Sequence, residues 1–413
     1  MGSYCEIRFD DLHVLSAKSA VPDIYVSLFQ ESDLRCPKNP KSANDEEIEE
    51  EHVYAVRRAV MLQRFDILGI TADAARRAFE DWHRGEIEVM AEWANDGESW
   101  ARDELKALRR LSFEAWSARV PQALRDQFDS KKKRSGDAIE EKMLDRDDGW
   151  LFFKASDIRL TVRALLDACH DIKEVTLDIS DLVGGGYINQ NTSICDEARR
   201  PSAMTRPVLE PTIILGEGSS DVRVLKLSLG VLHPHLKDFF SFFDHKELSV
   251  DGGASYLVKF LQAFAAARIS SRIVALFDND TAGGEAYNRA KALPLPSNIK
   301  VLRLPDIELA KSYPSVGAQG THFVDVNGRA ASIELYLGRQ NLTRSDGELT
   351  PVRWGGRSDK AGAYQGEIEG KADVVNRFCE GLRRLRTTGE AQAALPELVE
   401  IWQLIFETMK TYG

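Results

Sequence analysis

Two short stretches of the chain gather acids behind apolar runs. In TIILGEGSSD the run Thr212 to Leu215 is followed by Glu217 and, one helical turn later, by Asp221. In IVALFDNDTAGG the run Ile273 to Phe277 is followed by Asp278 and Asp280, then by Gly283 and Gly284. Carboxylates that converge repel one another, and hard divalent cations prefer such oxygen ligands. Metal binding is thus the chemistry these residue types offer, and a metal held there can act on a phosphate. An acid after a strand is ordinarily a turn former or helix cap, and a lone Asp-x-Asp arises by chance. The pairing of acid-Gly-x-x-acid with a later Asp-x-Asp and glycines is what stands out.

Such acids need elements to position them. Both apolar runs read as buried strands, and from Thr212 onward strand patterns alternate with helix patterns, the signature of a parallel α/β domain. Glu217 then lies at the carboxyl end of a strand, where open α/β sheets place their sites. Ser219 or Ser220 is expected to cap a helix beginning at Asp221. If the chain stays extended past Phe277, Asp278 and Asp280 point to one side. Gly283 and Gly284 are expected to let the backbone turn into the next helix.

Upstream, YCEIRF and HVLSAK are short strand patterns. Glu51 to Leu68 carries apolar residues at helical spacing, and a second helix follows with Thr71 as its N-cap. Helical pattern continues to about Phe128, and DIRLTVRALLDAC is a further helix. DIKEVTLDISDLVGGGY is a strand ending at glycines, and CDEARRPSAMTRPVLEP reads as a linker. After about Asn341 comes a Gly-rich polar loop, then helices to the end.

The composition is globular, with 43% hydrophobic and 29% charged residues in 413, enough for two or three domains. No stretch is apolar for the length of a membrane span. The N-terminus has no apolar signal region, so a cytoplasmic protein is expected. The five cysteines form no C-x-x-C pair, which argues against a zinc ribbon and a disulfide framework. A net charge of −11 argues against a broad nonspecific nucleic-acid surface, though not against an acidic metal site with a local basic rim.

EGSSD (Glu217 to Asp221) and FDNDTAGG (Phe277 to Gly284) resemble the two motifs of the Toprim domain of topoisomerases, primases and nucleases of the overcoming-lysogenization-defect (OLD) type. The resemblance covers about Val208 to Gly338, and VDGGASYLVKFLQAF between the motifs is in keeping with it. MGSYCEIRFDDLHVLSAKSAVPD resembles the N-terminal region of HEPN/Toprim-associated proteins. The implied fold is an α/β Toprim domain, Rossmann-like with a mostly parallel sheet. It is preceded by a mainly helical N-terminal region with short strands and followed by C-terminal helices. The expected divisions are 1–50 (HEPN/Toprim-type N-terminal region), 51–206 (helical assembly region with a short strand and linker), 207–345 (Toprim domain) and 346–413 (basic loop and helices).

Primases of this class add a zinc module, which the cysteines do not supply, and topoisomerases need a larger body and a nucleophilic tyrosine. Nucleases need less. AASIELYLG places Glu334 as a third acid, similar to that of OLD-like nucleases. By that resemblance Glu217, Asp221, Asp278, Asp280 and Glu334 hold one or two Mg²⁺ (or Mn²⁺) ions. Glu217, Asp278 and Asp280 are then catalytic with a lysine, for which Lys360 and Lys371 both stand as candidates. Arg353 and Arg357 are candidate substrate-binding residues, and Trp354 and Tyr364 candidates for stacking on a base. The bland alternatives are a solvated loop around 352–371 and an exposed acid at Glu334.

Arg163 to His170, and Arg76 or Arg77 to His83, match the spacing of a HEPN ribonuclease motif, but RALLDACH also reads as a plain amphipathic helix. The basic runs Lys131 to Arg134 and Arg383 to Arg386 are expected on solvated surface, and His233-Pro-His235 at a turn. The expected function is a metal-dependent Toprim nuclease hydrolysing phosphodiester bonds of DNA, tRNA or other RNA, an effector in anti-phage defence. The alternative is a catalytically silent nucleic-acid-sensing or assembly subunit. A homodimer is expected, with no membrane partner. No Walker motif occurs, so an ATPase or regulatory partner would be a separate chain.

Overall fold

The computed structural model describes residues 2–35, 51–127, 138–144, 149–199, 210–243, 252–317, 320–358 and 362–412. The chain forms two compact units, one built on Met1–Thr205 and the other on Arg206–Thr408. The architecture is mixed α/β with a parallel sheet and many helices. Among the described residues no helix is long and apolar enough to cross a membrane.

The first unit contains a five-stranded antiparallel sheet, built from β1 (Tyr4–Phe9), β2 (Leu12–Lys18), β3 (Leu34–Arg35), β4 (Val53–Arg57) and β5 (Glu174–Asp178) in the order β2-β1-β5-β4-β3. Cys5, Ile7 and Phe9 alternate along β1 and are fully buried, as a one-faced strand requires. The helical reading of Glu51 to Leu68 is corrected here. Val53–Arg57 is a strand and the helix is only Arg58–Ile67. Tyr54 and Val56 alternate into the core, and their partner β5 lies far along the chain, so local spacing gave no sign of it.

Helix Ala72–Asn95 begins as expected, with Thr71 Oγ1 accepting from Ala74 N at 3.1 Å. The helical stretch beyond it is broken into Ser99–Leu108 and Phe113–Asp126. Phe79 is the hub of the core, with the rings of Trp82, Phe113, Trp116 and Phe153 at 5.3–5.4 Å. The expected linker at Cys195 is helical up to Arg199 (Ile194–Arg199), and the run Lys131 to Arg134 lies outside the described residues.

The second unit carries a four-stranded, wholly parallel sheet of β6 (Thr212–Leu215), β7 (Phe240–Phe242), β8 (Ile273–Phe277) and β10 (Ile299–Arg303), in the order β10-β8-β6-β7. All five residues of β8 are buried, as an apolar, β-branched run in a covered parallel strand should be. Helices Ser219–Leu232, Ala254–Ala266 and Thr281–Lys291 connect the strands. Past β8 the chain makes β9 (Asn279–Asp280), which pairs with β13 (Ala330–Ala331). A further sheet has the order β12-β11-β14-β15, with β11 Tyr313–Gly317, β12 Gly320–Val324, β14 Val352–Ser358 and β15 Ala363–Ile368.

β14 and β15 correct the expected polar loop, since Val352–Ser358 and Ala363–Ile368 pair as antiparallel strands. Their register shifts between Trp354 and Arg357, across the Gly355-Gly356 pair. Glycine content suggested loop, but here it makes a bulge within paired strands. Helices Lys371–Leu382, Thr388–Ala394 and Pro396–Met409 follow, and Trp402 anchors the last by donating to Ser228 Oγ at 3.0 Å.

Candidate functional site

β6 and β8 are hydrogen-bonded neighbours running the same way, with Leu215 beside Ala275. Their carboxyl ends therefore coincide, and Glu217 meets Asp278. Glu217 Oε1 accepts from the Asp278 backbone N at 2.9 Å. The helix after β6 starts at Ser219, two residues earlier than expected, with Gly218 as its N-cap. Asp221 is thus in the first turn, not at its start, and its Oδ2 accepts from Gly218 N at 2.8 Å. That bond suits a carboxylate at a helix N-terminus. Asp221 is only 8% exposed, and Gly216 makes room for it: a Cβ on Gly216 would stand 2.9 Å from Asp221 Cβ.

Asp280 caps the helix after β9, its Oδ1 accepting from Gly283 N at 2.7 Å. Gly283 and Gly284 lie inside that helix rather than in a turn before it. Gly283 is needed for close approach, because a Cβ there would overlap the Asp278 carbonyl and come within 2.9 Å of Glu217 Oε1. The side chain of Asn279, between the two aspartates, is fully buried and goes elsewhere. It donates to Asp306 Oδ1 at 2.8 Å and accepts from Gly328 N at 3.1 Å.

That anchoring holds the returning chain, and the β9–β13 pairing brings residues 332–334 alongside Asp278. Asp278 Oδ1 accepts from Ile333 N at 3.1 Å. Glu334 sits on the 3-10 turn Ile333–Tyr336 and is 2% exposed, so it is not an exposed acid on an amphipathic helix. Its Oε2 accepts from Ser332 Oγ at 2.7 Å.

The electrostatics tie these acids into one cluster. Burial pushes Glu217 up to about 8, and the charges of Asp280 and Asp221 add to the rise. Burial and Glu334 raise Asp221 to about 6. Asp278 is raised well above its ordinary range, first by burial and then by Asp221, Glu217, Asp280 and Glu334. Buried like charges produce this pattern. Among the described residues the lysine that acts on them is Lys371, which lowers both Glu217 and Asp221. Its own burial favours loss of the proton, but attraction to Glu334, Glu367 and Asp278 outweighs that and raises it. Its Nζ pairs with Glu367 Oε1 at 3.0 Å. Lys360 lies outside the described residues.

Gln365, on β15, was not anticipated from sequence. Its Nε2 donates to Asp280 Oδ2 at 2.6 Å and its Oε1 accepts from Ala282 N at 2.9 Å. Only its place on a strand crossing the Asp-x-Asp segment marks it. Asn279 and Ser332 were also missed, although period-two alternation already sets Asn279 on the side opposite Asp278 and Asp280. Arg353 pairs with Glu369 at 2.6 Å, and Arg357 donates to Gly362 O at 3.4 Å, both on the hairpin surface. Tyr364 is exposed there and Trp354 half-buried.

A hard divalent cation suits carboxylate donors. Among the described residues Glu217, Asp278 and Glu334 each engage one oxygen and offer the other. Both oxygens of Asp221 and of Asp280 already accept hydrogen bonds that a cation would have to share or displace. Among the described residues, however, no three His, Cys, Asp or Glu side chains form a ready metal-binding group. The acids are close enough to repel one another without being closed into a coordination shell.

The other expectations resolve as follows. Arg163 is buried and bonded to Asp66 at 2.6 Å, Asp167 at 2.8 Å and Ile70 O at 3.2 Å, while His170 is exposed beyond the helix end. His83 stacks on Phe79 and meets Leu108 O at 2.8 Å. His233 ends helix Ser219–Leu232 at a turn, packed edge-on against Phe406 at 4.9 Å. Arg383, Arg384 and Arg386 are exposed.

Residues 1–202 match the family model HEPN/Toprim N-terminal domain 1. No curated protein and no solved structure matches the chain.

Proposed function

We propose that the second unit is a Toprim-type, divalent-metal-dependent nuclease resembling those of the OLD type, hydrolysing phosphodiester bonds of DNA or RNA. The observation that carries this is the convergence of five acids and Lys371 from four separate parts of the sequence. Folding that concentrates like charge at the carboxyl edge of a parallel sheet costs stability, and such costs concentrate at functional sites. Glu217, Asp221, Asp278, Asp280 and Glu334 would hold one or two Mg²⁺ or Mn²⁺ ions. A cation there supplies positive charge against the phosphate and acidifies water.

The chain's own residues do the rest. Hydrolysis adds water across the ester: an oxygen attacks phosphorus, the P–O ester bond breaks, and the leaving oxygen takes up a proton. Lys371 keeps its charge beside the acids and is placed to neutralise the phosphate as negative charge builds. Gln365 and Gly283 N hold Asp280 still, and Ile333 N holds Asp278. The first unit would serve assembly as a homodimer or contact a regulator, and an ATPase partner would be a separate chain. A role as an effector in anti-phage defence is part of this reading and rests on the resemblance of the acidic motifs to OLD-type nucleases; the match of residues 1–202 supports only the HEPN/Toprim character of the first unit.

The second reading is a silent nucleic-acid-sensing module, favoured by the absence of a ready three-ligand metal group among the described residues. The deciding experiment is incubation of the purified protein with plasmid DNA and with total tRNA, plus Mg²⁺ or Mn²⁺, beside Asp278→Asn. Metal-dependent cutting lost in the variant supports the nuclease and names its substrate class. No cutting with either metal, in the presence of co-purifying partners, favours the silent module.

A further inference from the structure

We propose that the cleft beside Lys371 takes unpaired nucleotides, making the substrate class of the neighbouring acids a single-stranded polynucleotide; this rests on the nuclease reading above. The cleft has a volume of about 610 Å³ and is walled by Arg353, Trp354, Gln365, Glu367, Glu369 and Lys371. Two of its walls are linked to the acidic cluster. Gln365 donates to Asp280, and Lys371 is drawn toward Glu334 and Asp278. A chain lying in it would lead its backbone to the acids.

The charge of the cleft decides against a duplex. Arg353 is paired with Glu369 at 2.6 Å and Lys371 with Glu367 at 3.0 Å, so the walls are close to neutral. Tracking the dense phosphates of a double helix needs a surplus of unpaired cations. A neutral cleft with an aromatic wall suits a base instead, because stacking needs a π-face and little charge.

Trp354 is set as such a wall. It pairs across the hairpin with Gly366, and a Cβ on Gly366 would lie 3.1 Å from Trp354 Cε3 and overlap Ala330 and Val352. Glycine there lets the indole lie against the strand. The volume falls within the range of roughly 300–1,000 Å³ for small-ligand clefts, room for a nucleotide or two and not for paired strands.

The test is a fluorescence-anisotropy titration in EDTA, so that nothing is cut. The probes are labelled oligothymidylate and oligouridylate of about twelve nucleotides, a duplex of equal length, and an abasic oligomer with the same phosphates. The protein is the full chain, as wild type, Trp354→Ala and Trp354→Phe, with folding followed by thermal unfolding. The single strands should bind more tightly than both the duplex and the abasic oligomer. Trp354→Ala should weaken them roughly five- to a hundredfold while Trp354→Phe keeps most of the affinity. Equal binding of duplex or abasic oligomer overturns the proposal, as does no binding, or a folded Trp354→Ala that binds like wild type. If Trp354→Ala unfolds, the wild-type comparison of base-bearing and abasic strands decides. Uridylate against thymidylate separates RNA from DNA. Failure of the nuclease reading shows separately, as no cutting with Mg²⁺ or Mn²⁺.

Discussion

Glu217 and Asp278 are joined by a hydrogen bond of 2.9 Å from the backbone N of the second to the carboxylate of the first. Two neighbouring parallel strands are thereby clasped at their carboxyl ends by one of the acids they present. Gly283 lies against this clasp. Alanine is the better helix former by about 1 kcal/mol, but at Gly283 its Cβ has no room. Gly283→Ala should destabilise the protein by about 1–3 kcal/mol. At Gly284 no heavy atom stands within 4 Å of a Cβ, so Gly284→Ala should be neutral or stabilising. Urea unfolding of the two variants side by side checks this; equal losses would refute it.

Gln365 is a positioning residue for Asp280. Gln365→Ala removes both arms of its amide, and outer partners of metal-binding groups typically matter by about 10–100-fold in metal affinity. The Mg²⁺ concentration for half-maximal cutting should rise within that range. Mn²⁺-induced thermal stabilisation should weaken in step, which a purely structural role would not produce. Unchanged metal dependence of both would remove Gln365 from the site.

Asp278 is the acid on which the others press most broadly. Asp278→Asn removes that charge and keeps an oxygen to accept from Ile333 N. In EDTA at pH 8 the variant should therefore be more stable than wild type, by on the order of 1 kcal/mol. With Mg²⁺ added the order should reverse or close, since only the wild type gains from the ion. Thermal unfolding in both buffers reads this out, and a variant less stable in EDTA would contradict the repulsion.

His233 supplies a pH dependence outside the cluster. Burial, helped by His235, lowers it from its ordinary 6.5 to about 4, and its Nε2 is buried without a hydrogen-bond partner. The folded pKa lies below the unfolded one, so the stabilising contribution is present above pH 6.5 and is lost as pH falls toward 4. His233→Leu should flatten the fall in melting temperature across that window. A slope like that of wild type would show that other groups govern it.

Arg163 is a structural cation. Its guanidinium holds Asp66 and Asp167 in the first unit. Arg163→Ala leaves those carboxylates without their partner and should cost about 3–5 kcal/mol. His170→Ala, on an exposed residue, should stay within about 0.5 kcal/mol. Unfolding midpoints of the pair test this; a ribonuclease activity lost in a stable His170→Ala would revive the HEPN motif.

Much of this was legible in the residues themselves. The buried strands at Thr212 and Ile273, the acids behind them and the Thr71 cap follow from period, β-branching and local hydrogen bonding, which need only near neighbours. Asn279 was legible by the same rule of alternation. Residues 352–368 were not, because glycines that signal a loop locally become a bulge once β11 and β15 flank the strand.

What sequence could not fix is who stands opposite whom. Val53–Arg57 became a strand because β5, more than a hundred residues on, offered an edge to pair with. Glu334 joined Asp278 because Asn279 anchors the returning chain and β13 pairs with β9. Gln365 and the Trp354 cleft arose only when the hairpin crossed that junction. The sequence by itself determined which residue types could bind metal and on which strands they ride, since local periodicity is an interaction between neighbours in the chain. Tertiary structure alone decided that Lys371 and Glu334 share one charge cluster with Glu217, because electrostatic coupling depends on distance in space.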